Sequence, residues 1–155
     1  MNRRKPPQDP LDFDIEPSLF LTEAAELIAH ANQVWDQVAA VPLAEATFAN
    51  AILPILHEED ARSQRAAWLD WLRSTTPLTA IRDASCAFHQ AMTDANNQRF
   101  AREDVFRVVD AVWRHQEEQQ PPLNAEQQLC LERVAPRLSR DGTRHRRPAT
   151  TRASG

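Results

Sequence analysis

The sequence predicts an all-α protein of about six amphipathic helices in a bundle or layered array, with disordered tails at both ends. Three observations predict it. Apolar residues recur at three- and four-residue spacing over most of the chain. Glycine is nearly absent, with Gly142 and Gly155 the two in 155 residues. Hairpins and phosphate-cradling loops rely on glycine for positive φ angles, so the first 141 residues exclude a nucleotide-binding enzyme of the Gly-rich-loop kind. Finally, prolines gather at segment boundaries, where they break or start helices.

Residues 1–17 carry Pro6, Pro7, Pro10 and Pro17 and read as an extended leader. Ser18 is the expected N-cap of a first helix carrying Phe20, Ala24, Leu27, Ala31, Val34, Trp35 and Val38, which ends before Pro42. The next segment, "AEATFANAILPIL", places Phe48, Ile52, Ile55 and Leu56 on one side, and Pro54 should kink or end it. A third helix is expected from Glu58 to Ser74, with Ala61, Ala67, Trp68, Trp71 and Leu72 as its apolar stripe. Thr76 and Pro77 read as the N-cap and first residue of a fourth helix. Its stripe is Ile81, Ala84, Ser85, Phe88, Ala91 and Met92. "AREDVFRVVDAVWRHQ" forms another, with Val105, Val108, Val109, Val112 and Trp113 inward. After the break "QQPPL", Asn124 and Gln127 form a capping box before a last helix with Leu131, Val134 and Leu138. Gly142 reads as its C-terminal cap. The domain division is thus a leader over 1–17, a helical domain over 18–142 and a basic, disordered tail over 143–155. No internal repeat recurs at a fixed period.

The charge of −4 is unevenly spread. Seven of the 18 basic residues lie in the two tails, and between residues 13 and 141 there are 11 basic and 20 acidic residues. An acidic body repels phosphate, so nucleic acid is not an expected partner. No apolar run approaches the ~18 residues of a membrane span, and the leader has no apolar signal region. These features point to a cytoplasmic protein without a membrane partner. Cys86 and Cys130 fall on or beside apolar faces, which predicts buried free thiols rather than a disulfide framework.

His57 and Glu58 begin "HEEDA" like a zinc-protease helix, which needs a second histidine four residues after the first. That position is Ala61. The plainer reading makes Glu58, Glu59 and Asp60 solvated acids in a first helical turn, facing the positive end of the dipole. Cys86 and His89 have the spacing of half a metal site, which His30, His115 and Cys130 would have to complete from other helices; a thiol beside a partly exposed imidazole is the plainer reading. Trp35, Trp68 and Trp113 belong to apolar faces, and Trp71 is expected to be partly exposed. The sequence therefore assigns no catalytic, cofactor-binding or metal-ligating residue.

Three stretches in this order carry a resemblance: "QVWDQVAAVPLAEATFANAILPIL" (33–56), "AIRDASCAFHQAM" (80–92) and "REDVFRVVDAV" (102–112), followed by "RLSRDG" (137–142). Together they resemble the N-terminal helical region of the M3 zinc oligopeptidases, the family of thimet oligopeptidase, neurolysin and saccharolysin. The resemblance covers roughly residues 13–142. It implies a helical lobe walling a deep channel in which short peptides are cut by a zinc ion, held by an HExxH helix and a downstream glutamate. That helix lies further along the family's chain, so no zinc ligand or catalytic residue transfers to this sequence. Zn2+ is thus implied for the full-length family and not for this chain. The implied partners are short peptides, the missing catalytic lobe or an intact relative. The change at Gly142 to "TRHRRPATTRASG" suggests truncation by a frameshift, a mis-called gene boundary or a retained intron; a deliberately short protein is the other reading. Two functions follow: a peptidase fragment inactive alone, or a stand-alone helical interaction module. An unrelated enzyme using Cys86, His89 or the acids ranks behind both.

Overall fold

A computed structural model describes residues 15–116 and 122–138. Most of the predicted leader, residues 119–121 of the "QQPPL" break, Gly142 and the tail lie outside the described residues. Among the described residues there are five α-helices: α1 (Pro17–Ala39), α2 (Leu53–Thr75), α3 (Thr79–Phe100), α4 (Glu103–His115) and α5 (Ala125–Leu138). No strand occurs among the described residues. A 3-10 turn (Leu43–Glu45) and a π-type turn (Phe48–Ile52) join α1 to α2.

The helix boundaries correct several expectations. α1 begins at Pro17, with Glu16 as the N-cap, so Ser18 lies inside the first turn and its carbonyl accepts the Thr22 hydroxyl at 3.2 Å. Proline suits a first helical position because the N–H it lacks would have no partner there. Pro54 likewise starts a helix rather than ending one. It stands in the first turn of α2, which runs unbroken for 23 residues. The two helices expected on either side of residue 57 are thus one, and His57 to Asp60 do not form a first turn. Thr76 caps no N-terminus. It ends α2, and its hydroxyl accepts the Leu78 N–H at 3.3 Å before α3 starts at Thr79.

The π-type turn is held by a reciprocal cap. Thr47 Oγ1 accepts the Asn50 N–H at 3.3 Å, and Asn50 Oδ1 accepts the Thr47 N–H at 2.8 Å. The Asn50 amide also donates to the Glu45 carbonyl at 2.9 Å, which ties the two turns together. The predicted Asn124–Gln127 box at the start of α5 is present, with bonds of 3.0 and 2.8 Å.

Packing divides into two apolar clusters that share α1, a helix about 34 Å long by its rise per residue. Phe20, Ala24 and Leu27 meet Leu69 and Leu72 of α2 and Ile81, Phe88 and Met92 of α3. Trp35 and Val38, further along α1, meet the π-type turn, Ile55, the valines of α4, and Leu131, Val134 and Ala135 of α5. Trp35 is fully buried and meets Phe100 edge to face, with ring centroids 5.3 Å apart. The predicted stripe of α2 needs correction. Ala61 and Ala67 are exposed, Trp68 is half-buried, and the inward residues are Ile55, Glu58, Leu69 and Leu72. Trp71 is 48% exposed and stacks on Trp68 at the molecular surface.

Replacing Thr47 by alanine removes one half of the cap on the π-type turn. Urea denaturation should show a loss of about 1 kcal/mol, within the range of N-cap deletions. A change below a few tenths would mean that Asn50 alone holds the turn.

Candidate functional site

Among the described residues, the charged side chains with the deepest burial lie between the two apolar clusters. Glu58 is 3% exposed and Arg99 is 2% exposed. On α2, Glu58 Oε1 accepts Arg62 Nε at 2.7 Å, one helical turn away. On α3, the Arg99 guanidinium donates to Asn32 Oδ1 of α1 at 3.3 Å and to Asn96 Oδ1 at 2.6 Å. Glu59, the next residue of α2, pairs with Arg137 of α5 at 3.1 Å. Arg137 also lies over the Phe100 ring, 4.1 Å from its centroid. Four helices therefore meet at one seam of charge and amide.

Arg99 has its amide partners but, among the described residues, no carboxylate at hydrogen-bonding distance. Burial lowers its pKa from the ordinary arginine value, repulsion from Arg62 lowers it further, and Glu58 and Glu59 act against both. A guanidinium starts so far above neutrality that it stays charged. The seam thus pairs Arg62 with Glu58 and Arg137 with Glu59, and leaves the charge of Arg99 on amides. This overturns the reading of Glu58 as a solvated acid.

A second ionic group fixes the start of α4. Arg102 bonds Asp104 at 2.7 Å and Asp36 of α1 at 2.6 Å. Its pKa is raised, first by the hydrogen bond to Asp104. The same hydrogen bond is the main cause holding the Asp104 carboxyl below its usual range.

The other candidates do not converge. His57 is exposed, and Glu58 beside it turns into the seam. Cys86 is exposed and Cys130 half-buried, so the buried-thiol expectation fails for Cys86. His89 turns from Cys86 to α2, where its Nδ1 lies 2.7 Å from Asp70 Oδ1. Among the described residues, no group of three or more His, Cys, Asp or Glu side chains is placed to hold a metal ion. The zinc of the M3 resemblance therefore has no fitting ligand set among the described residues. Arg99 is the residue that the sequence reading missed. Its signal was available, since Ile81, Ser85, Phe88, Met92, Ala95 and Arg99 all lie on the buried face of α3.

No family model matches the chain. Two curated proteins do. Oligopeptidase PhomG' of Diaporthe leptostromiformis is 37% identical over 113 residues, which is 72% of this chain and 9% of that protein. Oligopeptidase PhomG of the same organism is 30% identical over 112 residues, 72% of this chain and 13% of its own length. The chain is related to proteins named oligopeptidases. It spans about a tenth of the length of these relatives. The stretches that carry the resemblance have structural work in this fold. "TFAN" supplies the cap of the π-type turn, and "RED" supplies Arg102 and Asp104. In "RDAS", the Ser85 hydroxyl donates to the Leu69 carbonyl at 2.6 Å and so clamps α3 to α2.

Two measurements test the seam and the α4 cap. Arg62→Met leaves the Glu58 carboxylate buried without its ionic partner and should cost about 3–5 kcal/mol in urea denaturation. The double variant Glu58→Met/Arg62→Met should recover part of that loss; a double cost equal to the sum of the two single-variant costs would show the pair to be uncoupled. Because its folded pKa is depressed, Asp104 contributes stability above its unfolded pKa of about 4, and that contribution is lost as pH falls through the folded value. The stability gap between the natural protein and Asp104→Asn should therefore be steady above about pH 5 and close on acidification. A gap independent of pH would refute the Arg102–Asp104 coupling.

Proposed function

We propose that this chain is a channel-wall segment of the M3 zinc oligopeptidase type. In that architecture it shapes access for short peptides and does not carry the reacting groups. The supporting observation is the match to oligopeptidase-named proteins over 72% of the chain, in a sequence that spells no HExxH. The layered helices suit a wall. Their ionic groups and caps hold helix to helix, and His57 and Glu58 point to separate environments. The whole protein's peptide hydrolysis then belongs to residues outside this chain, and the segment alone is inactive.

A second reading is a stand-alone interaction module that binds peptides or an intact peptidase. The exposed Trp71, stacked on Trp68, favours it, since large aromatic side chains are enriched where proteins meet.

Purified protein incubated with Zn2+ and a quenched-fluorescent peptide should release no fluorescence. Cleavage that a chelator and His57→Ala both abolish would defeat the channel-wall reading. Co-purification with an intact M3 oligopeptidase, lost in Trp71→Ala, would select the interaction module.

A further inference from the structure

We propose that the groove between α2 and α3 binds a carboxylate carried on an apolar body. It goes beyond the channel-wall reading and does not rest on it.

The groove has a volume of about 250 Å3, below the ~300–1,000 Å3 of pockets for drug-sized ligands, so its occupant is about one amino-acid residue in size. Phe88 and Met92 of α3, with Ala66 and Ala67 of α2, give it an apolar lining. Arg62 and Asn96 line one end and Asp70 and His89 the other. Arg62 and Asp70 lie eight positions apart on α2, about 12 Å of helix.

The two ends differ in charge. Asp70 is already matched by His89 at 2.7 Å and by Arg73 at 3.7 Å. At the Arg62 end, Glu58 offsets Arg62, but the charge of Arg99 behind Asn96 is held by amide oxygens. That end therefore carries surplus positive charge in a partly desolvated place, where Coulomb attraction is stronger than in water. The surplus also sets the polarity of the lining. Arg99 takes the Asn96 Oδ1, so the group that Asn96 offers elsewhere is its Nδ2 donor. Glu58 takes the Arg62 Nε, so Arg62 offers its terminal nitrogens. Donors and surplus positive charge at one end, with an apolar lining beyond, are complementary to a carboxylate followed by a hydrophobic group. The C-terminal residue of a peptide and a free hydrophobic acid share that chemistry.

The test uses the full 15N-labelled chain and amide chemical shifts. N-acetyl-phenylalanine should shift Ser63, Ala67, Thr93 and Asn96 saturably, and N-acetyl-phenylalaninamide should bind at least ten-fold more weakly. 3-Phenylpropionate binding as tightly as N-acetyl-phenylalanine would mark any apolar acid as a ligand; weaker binding would mark a peptide terminus. Either supports the site. Asn96→Asp gives Arg99 its missing carboxylate, so binding should fall at least ten-fold with the melting temperature maintained or raised. If that variant does not fold, Ala67→Glu at the exposed rim should cause the same loss. Equal binding of acid and amide, shifts elsewhere on the molecule, or natural affinity in the folded charge variant would each overturn the proposal. So would inorganic phosphate matching N-acetyl-phenylalanine in affinity.

Discussion

The fold depends on how one buried cation is accommodated. Arg99 sits where α1, α2 and α3 converge, held from both sides by Asn32 and Asn96. A guanidinium taken out of water needs its donors satisfied and its charge balanced. The amides take two of its donors, and Glu58 and Glu59 offset its charge only in part and from a greater distance. Each acid is in turn tied to another arginine, so the seam extends from α1 to α5. Helix positions here are set by directional bonds as well as by apolar contact, which has no direction of its own.

The helical class was legible because periodicity is strong wherever a helix buries only apolar residues. α1 and α4 show this: six of the seven predicted α1 positions are buried, and Val34 is half-buried. The α2 face was misread because its inward row passes through Glu58 and Arg62, which a hydrophobicity pattern counts as outward. Alanines 61 and 67 then drew the stripe toward the exposed side. Pro54 was misread for a different reason. Proline is disruptive inside a helix and favourable in its first turn, and only the capped turn before it decides which applies. Thr47 and Asn50 write that cap in the sequence, but as an asparagine variant of the usual box.

The candidate site was less legible than the fold. In the sequence each titratable residue reads as a ligand or a solvated group, and the seam is neither. Arg99 and Glu58 lie 41 positions apart in sequence and meet only because the helices pack. The motif residues show a similar division. Ser85, Arg102, Thr47 and Asn50 lie in the stretches on which the sequence resemblance rests, and in this chain they cap, clamp and pair.

The polar seam also separates the apolar interior into two compartments along α1. Side chains distant from one another, with no shared neighbours, tend to act independently. Replacement of Phe20 or Leu72 in one compartment thus makes little demand on Val109 or Leu131 in the other. Each compartment can drift under its own selection, with the amide-clasped arginine as the boundary across which neither has to compensate for its neighbour.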